Sequence, residues 1–408
     1  MNENVDLADP GLYAVGDPHA VFDTLRSTDP VHWQPATAHR PGFWAVTRYA
    51  DVDRVLSDFA AFTSERGTLL NLLGRPDPAA GRQLAATDPP QHDRMRAPLQ
   101  QALNLRAIDG HLRAVGEAVA AVLEPVRHAG GSPVDLATVF RTLPLAAVGP
   151  LLGVPESDRP RLADLAEMCA AEDDPAVQAP GGVAATLERG HRELFAYFVD
   201  LVRERRRRPR DDLLSVLVTM RFEDAPLPVG AIVANAYSLL LGAAVTLPCV
   251  PAAALAHLAA TGGYRDWARR PDRIDSGVEE ALRFATPAMH FVRHTRRPVR
   301  LGDRELGAGE PVVAWLTAAN RDPAVFTDPH TFATGRRPNR HLAFGSGRHY
   351  CIGSHIARRT LRLLFEQLFA VVADVEPAGP PVRVRSAFLA GIRHLPVVAH
   401  LRATGAAA

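Results

Sequence analysis

The stretch Phe344-Gly345-Ser346-Gly347-Arg348-His349-Tyr350-Cys351-Ile352-Gly353 decides the fold of this 408-residue chain. Its glycines allow the backbone to turn tightly and to lie close against a flat ligand. From Ile352 onward, apolar residues recur at helical spacing, so we expect Cys351 to open a helix. A cysteine there feels the positive end of the helix dipole, which lowers its pKa and favours the thiolate, a metal ligand. The alternative is a buried structural cysteine beside a glycine-rich turn.

The spacing of Phe344, Gly347, Cys351 and Gly353 resembles the haem-ligand loop of the cytochrome P450 family. The resemblance implies haem b (iron protoporphyrin IX), with Cys351 as the iron ligand and Phe344 and Gly345 among the cofactor-binding residues. It also implies a mainly α fold with small β-sheets (α+β), in which haem lies between a long central helix and the loop bearing the cysteine. One haem domain covering residues 1–408, with no fused reductase, is expected.

Composition narrows the function classes. The formal net charge of +1 argues against the broad basic field that nucleic-acid binding requires. Cys169, Cys249 and Cys351 are too far apart for a disulfide framework or a zinc cluster, and the N-terminus lacks the pattern of a signal peptide. We therefore expect a cytoplasmic protein. Residues 231–260 are long and apolar enough to span a bilayer, but they carry prolines and lack flanking anchors, so we interpret them as a buried helix.

The N-terminal third mixes short elements. We expect a helix over residues 18–27, strands over 31–33 and 43–47, and a helix beginning near residue 49. Residues 68–87 are rich in Gly and Pro and predict a loop, which in the family covers the substrate. Helical periodicity dominates residues 100–222, and its break at 173–182 matches the family's lid over the pocket.

Residues 88–96 read Asp-Pro-Pro-Gln-His-Asp-Arg-Met-Arg and predict a helix start with His92 and Arg96 four apart on one face. A solvated basic face is the alternative. By resemblance, His92 and Arg96 bind the haem propionates, and Arg293 and His349 complete that set. Buried carboxylates need such partners.

The apolar segment over residues 239–248 resembles the central helix of the family. Aligning Thr246 with the family's threonine places Ala243 beside the oxygen site and Val245 where an acid is usual. Shifting the alignment by one residue leaves no threonine, and a plain core helix is a further alternative. Pro248 and Pro251 each remove a helix hydrogen bond, so we expect a kink.

The pair Glu280 and Arg283 lies three residues apart on a predicted helix, a spacing common in surface pairs. Their distance from Cys351 resembles the family's Glu-x-x-Arg, with Arg336 as the third, structural partner. Resemblance and apolar character give the remaining pocket-wall candidates, which simple packing also explains: Met289, His290, Phe291, Phe388 and Leu389.

The leading hypothesis is a monooxygenase that inserts one atom of O₂ into a small organic substrate in natural-product biosynthesis. Ferredoxin and ferredoxin reductase would supply electrons, and a basic proximal patch would attract the carrier: Arg94, Arg358, Arg359 and Arg362. Because Val245 replaces the acid, the substrate or His290 would supply the proton route. Oxidative coupling, rearrangement or peroxide-driven oxidation is the first alternative, and a non-catalytic haem sensor is the second.

Overall fold

The computed structural model describes residues 5–222 and 225–402. Its α-helices are α1 Pro10–Val15, α2 Pro18–Thr28, α3 Tyr49–Ser57, α4 Gln91–Ala102, α5 Leu105–Val122, α6 Glu124–His128, α7 Leu136–Arg141, α8 Leu143–Leu152, α9 Arg159–Ala170, α10 Gly182–Arg207, α11 Leu213–Thr219, α12 Val229–Ala244, α13 Cys249–Thr261, α14 Tyr264–Ala268, α15 Ile274–Ala285, α16 Leu316–Ala319 and α17 Ser354–Val371.

The strands are short and form small sheets. They are β1 Val31–Gln34, β2 Phe43–Val46, β3 Phe62–Thr63, β4 Pro133–Asp135, β5 Arg221–Phe222, β6 Ala225–Pro226, β7 His290–Thr295, β8 Val299–Leu301, β9 Arg304–Leu306, β10 Pro311–Trp315, β11 Val372–Pro377, β12 Val382–Arg383, β13 Ile392–His394 and β14 Pro396–Leu401. The predicted mainly α architecture with small β-sheets is confirmed.

The largest sheet has the strand order β1-β2-β10-β7-β3. The predicted strands near residues 31 and 43 are its β1 and β2, which pair antiparallel with Val31 opposite Val46. Trp315 at the end of β10 is fully buried and packs against Phe22 of α2, with the ring centroids 5.1 Å apart. This packing holds β7, the strand that carries Arg293, at a fixed place in the molecule.

The helical body packs α17 against α5 and α15. Leu361, Leu364, Phe365 and Leu368 recur at helical spacing and are all buried, so one face of α17 belongs to the core while its arginines lie toward the surface. Helix α17 begins at Ser354, three residues after Cys351. Our expectation that Cys351 itself opens the helix is therefore wrong.

The central apolar segment is two helices rather than one kinked helix. Helix α12 ends at Ala244, and α13 begins at Cys249. Pro248 and Pro251 have no N–H to donate within a continuous helix, so the turn over residues 245–248 is the physical result. The segment is long and apolar enough for a membrane span by composition, but its α12 half packs against α8, α9 and α10. Such burial is typical of a core helix.

Two features of the predicted helical region differ from expectation. Strand β4 lies just after Gly130 and Gly131 and pairs with β14, a long-range contact that local periodicity does not reveal. The charge run over residues 205–208 predicts a solvated helix end, yet Arg205 is buried and its Nε donates to Asp212 Oδ2 at 2.6 Å. This ion pair is part of the core rather than of a solvated helix end.

Candidate active site

The loop before α17 presents Cys351. Gly345 and Gly347 have φ values of 71° and 65°, in the left-handed region that favours glycine. A Cβ on Gly347 would lie 2.6 Å from the Cα of Ser57, so the loop can press against α3 only with glycine there. The Cys351 amide then donates to the Phe344 carbonyl at 2.8 Å. These contacts fix the backbone on both sides of the thiol.

The groups around Cys351 act on the pKa of its thiol in opposite directions. Burial raises the pKa of the Cys351 thiol, whereas the Gly353 amide hydrogen bond and the charges of Arg96 and Arg358 lower it. The pKa is raised overall, so the expectation that the helix dipole favours the thiolate is wrong: Cys351 lies before the first turn of α17, and burial dominates. A coordinated metal ion reverses this balance, because it deprotonates a ligating thiol outright.

Beneath the loop lies an ion network in which Glu280 and Arg283 are fully buried and Arg336 is nearly so. Glu280 accepts hydrogen bonds from Arg283 Nε and Nη2, both at 2.8 Å, and from Arg336 Nε at 3.0 Å. The Asn339 side chain and the Ala333 amide donate to the same carboxylate. Burial opposes ionisation of Glu280, but the hydrogen bonds and charge of Arg283 outweigh it and lower its pKa. The structure therefore brings together the three residues expected from sequence.

A second contact ties this network to the cysteine loop. Arg358 of α17 donates to both carboxylate oxygens of Glu279, at 2.6 and 2.9 Å, and to the Tyr350 hydroxyl at 3.0 Å. Its guanidinium also lies 4.6 Å from the centroid of the Phe344 ring. Phe344 is thus held by a cation–π contact beside the thiol.

The four residues expected to bind propionates converge from three elements. The His92 and His349 rings lie 4.4 Å apart, and Arg96 donates to the Tyr350 carbonyl at 2.6 Å. Burial lowers the pKa of His349 to about 2, and the charges of Arg293, His92 and Arg96 add to that effect. Burial is the larger cause of this shift, and the contributions of Arg293, His92 and Arg96 show that these side chains lie around His349.

Within residues 5–222 and 225–402, this cluster keeps unused donors. His92 Nε2 is buried with no hydrogen-bond partner. Arg293 is buried, and its hydrogen bond in the structure goes from Nη1 to the Val292 carbonyl at 2.9 Å. Burial lowers the Arg293 pKa to about 10. His92 Nδ1 lies 3.0 Å from the Asp93 carboxylate, so Nε2 is the nitrogen that remains available. Buried donors with unused hydrogen-bonding capacity suit an anionic group that carries its own oxygens.

The end of α12 is open on one side. Gly242 is exposed, and a Cβ there would meet no atom within 4 Å, while Ala243 and Thr246 are half-buried. The Thr246 hydroxyl donates to the Gly242 carbonyl at 2.5 Å. Val245, at the expected acid position, is only 3% exposed and packs into an apolar cluster with Leu240. Val245 therefore belongs to the core rather than to the open face.

Some of the residues expected to line the pocket are buried in the protein core instead. His290 is buried; its Nε2 accepts from the Leu70 amide at 3.3 Å, and its Nδ1 lies 3.2 Å from the Ala387 carbonyl. Burial lowers its pKa to about 3, so our suggestion of His290 as a proton source is wrong, because both ring nitrogens are engaged. Met289 and Leu389 are also buried in apolar clusters, so they pack rather than line a pocket.

Phe291 and Phe388 remain half-buried, with ring centroids 6.3 Å apart. With Ala243, they are the expected pocket residues that the structure leaves accessible. Sequence reasoning missed Ser64, whose hydroxyl lies 3.2 Å from His349 Nε2. Ser64 stands in no pattern of its own, and only the fold brings it to the cationic cluster.

Comparisons with known proteins place this geometry in a family. The family model for cytochrome P450 matches residues 274–370. Over 401 residues the chain is 33% identical to "Cytochrome P450 NovI" of Streptomyces niveus, covering 97% of this chain and 96% of that relative. It is 31% identical over 409 residues to a steroid C26-monooxygenase of Mycobacterium bovis, covering 95% and 91%.

The solved structure of P450 OxyD, which is involved in the biosynthesis of vancomycin-type antibiotics, superposes with a TM-score of 0.87 at 35% identity, covering 98% of this chain and 100% of that chain. Such similarity across nearly the whole chain shows common ancestry and common chemistry, and the cysteine loop stands inside the matched region. The expectation of an oxidoreductase that uses haem is confirmed. The chain therefore belongs to the cytochrome P450 family of haem-dependent monooxygenases.

Proposed function

We propose that this monooxygenase holds haem b through Cys351 and inserts one atom of O₂ into a small organic substrate, as a tailoring step in natural-product biosynthesis. The observation that carries the proposal is the position of the Cys351 thiol, two residues after His349 of the cationic cluster. The role of OxyD in making vancomycin-type antibiotics supports the assignment to secondary metabolism.

The residues present fit haem b. Its two propionates match the unused donors of His92 Nε2 and Arg293, with Arg96 and His349 beside them. The Cys351 thiol is the soft ligand that iron takes in this family. When bound, haem supplies the activation of O₂.

The protein's own groups then set the surroundings of the reaction. The neighbour of Glu280, Glu279, holds Arg358, and Arg358 in turn contacts Tyr350 and Phe344 of the cysteine loop. Thr246, in the turn just after α12, holds a hydroxyl that can pass a proton. Phe291 and Phe388 offer apolar rings to an organic substrate.

Ferredoxin and ferredoxin reductase are proposed as the electron donors. A surface groove of about 520 Å³ beside α17 is lined by Arg336, Arg337, His355 and Arg359, among others. The basic patch is weaker than expected from sequence, because Arg358 pairs with Glu279 and Arg362 pairs with Asp275. A shallow, partly neutralised groove suits a transient acidic carrier.

Oxidative coupling, rearrangement or peroxide-driven oxidation is the second candidate. The observation in its favour is Val245, which is buried in the core and leaves Thr246 without an acid as its chain neighbour. These reactions make other demands on proton delivery than hydroxylation does. We further propose a single domain and a cytoplasmic location, both consistent with the burial of the apolar segment in the core.

Turnover with labelled O₂ tests the proposal. A ligand that shifts the haem spectrum would be selected from a panel that includes pseudoionone and testosterone, which are bound in similar solved P450 structures. The reaction would use a surrogate ferredoxin and reductase. We expect one labelled oxygen atom in the product. An oxidised product without label would favour the second candidate, and no turnover of any bound ligand would contradict both.

A further inference from the structure

Glu172 is a buried carboxylate in the segment between α9 and α10, just beyond the end of α9. It is 8% exposed, and its Oε1 accepts from the Asn71 side chain at 2.8 Å. Asn71 belongs to the loop between β3 and α4, so this hydrogen bond joins that loop to the segment between α9 and α10. The side chain of Gln178 donates to the Glu172 carbonyl and tightens the same segment.

A chain of contacts places this carboxylate over the candidate pocket. The Leu70 amide, next to Asn71, donates to His290, whose ring lies 5.7 Å from that of Phe388. The Ser386 hydroxyl, two residues before Phe388, donates to the Ala170 carbonyl at the end of α9 at 3.1 Å. The loop that holds Asn71, the end of α9 and the Phe388 loop therefore meet where Glu172 lies.

The charge of Glu172 has no counter-charge in the part of the chain that the structure describes. Burial raises the pKa of Glu172 and the charge of Asp173 adds to this, although the hydrogen bond from Asn71 lowers it in part. The next acid, Asp174, differs because it pairs with Arg393 at 3.1 Å. A buried carboxylate is costly to ionise when no cation faces it, so a cation supplied from outside the chain would stabilise the ionised form of Glu172.

Tyr237 of α12 gives the approximate position of Glu172 along the pocket. The side chain of Cys169, three residues before Glu172, hydrogen-bonds with Tyr237, so the end of α9 lies against this ring. Tyr237 and Thr246 are both half-buried and stand nine residues apart on the central segment. At a rise of 1.5 Å per helical residue, this separation is roughly 10–14 Å.

We propose that Glu172 is a specificity-determining residue that binds a protonated amine of the substrate, with the oxidised atom roughly 10–14 Å from that nitrogen. This inference rests on the proposed haem-dependent function. Asn71 holds one oxygen of the carboxylate, and the ammonium group takes the hydrogen-bonding capacity that remains.

Two matched probes test the assignment in the haem-loaded enzyme. One is an N-alkylimidazole whose octyl chain ends in an ammonium group, and the other has the same chain ending in a hydroxyl group. The imidazole reports its binding by shifting the haem spectrum, and the octyl chain is about as long as the separation between Tyr237 and Thr246. We expect the ammonium probe to bind the wild-type enzyme about tenfold or more tightly than the hydroxyl probe.

The Glu172→Gln variant keeps an oxygen for Asn71 but removes the charge, so the ratio of the two affinities should fall to about one. The control is Asp173→Asn, which removes the neighbouring charge and should leave the preference for ammonium within about threefold of wild type. A purely structural role for Glu172 would change both affinities together and leave their ratio intact.

The outcomes separate the two proposals. If both probes shift the spectrum of the wild-type enzyme with equal affinity, Glu172 is not a cation site, although the haem assignment stands. A preference that survives Glu172→Gln overturns the inference in the same way. If neither probe shifts the spectrum of the haem-loaded enzyme, the proposed haem site fails, and this inference fails with it.

Discussion

The two sides of the candidate haem site differ in how their charges are satisfied. On the proximal side, Glu280 is fully buried and receives hydrogen bonds from Arg283, Arg336 and Asn339. On the distal side, Glu172 is almost as buried, but among the described residues it has a single side-chain partner, Asn71, and no arginine. One carboxylate is saturated by the protein, and the other is not.

This difference shows what each side is built for. A saturated network fixes one arrangement of the cysteine loop, as the iron ligand requires. A distal carboxylate whose hydrogen bonds are incomplete keeps the capacity to bind a substrate reversibly. Substitutions on the proximal side should therefore affect stability and haem content, whereas those on the distal side should affect selectivity and coupling.

The largest effect is expected for Glu280→Ala. Removing the carboxylate leaves Arg283 buried without a counter-charge, which costs about 3–5 kcal/mol of unfolding free energy. Urea denaturation, with haem content measured in parallel, checks this. The control is Glu188→Ala, which breaks an exposed pair with Arg192 and should leave stability nearly unchanged. Similar stability losses in both variants would contradict the claim that the buried Glu280 network stabilises the proximal side.

A smaller effect is expected for Arg293→Ala. Loss of one buried, charge-assisted donor should weaken haem retention by roughly 10- to 100-fold. Transfer of haem to an apo-globin acceptor measures this rate. Arg207→Ala is the control, because Arg207 is exposed at the end of α10. Equal haem loss from the two variants would show that the propionates lie elsewhere.

The smallest effect is expected for Thr246→Ala. Groups that transfer protons in catalysis contribute roughly 10²–10⁴-fold, but Thr246 has no acid beside it, so a loss of coupling of only about several-fold is expected. Product and peroxide measured per electron consumed provide the test, with Thr246→Ser as the control that keeps the hydroxyl. If Thr246→Ala forms as much product per electron as the wild type, oxidative coupling or rearrangement would be favoured over hydroxylation.

The proximal side could be predicted from sequence in some detail. Glu280, Arg283, Arg336 and Cys351 stand in motifs with fixed spacing, and the structure brings the first three together. Their arrangement depends on local helix geometry and on one loop, both of which leave a pattern in the chain. The start of α17 was missed by three residues because apolar periodicity does not mark a helix boundary.

The distal side could not be predicted in the same way. Glu172 stands in a break between helices and acquires its role only when Asn71, about a hundred residues earlier in the chain, folds over it. His290 was misjudged because its two hydrogen-bond partners, Leu70 and Ala387, come from distant loops. Burial of Val245 depends on how α12 ends, which the prolines indicated only in part.

The central claim is that Cys351 is the thiolate ligand of haem iron. The carbon monoxide complex of the reduced protein tests it most directly, because thiolate ligation produces a red-shifted absorption band. We expect Cys351→Ser to lose this band, while Cys249→Ser, which changes a buried cysteine at the start of α13, should retain it. A red-shifted band that persists in folded, haem-loaded Cys351→Ser would contradict the assignment.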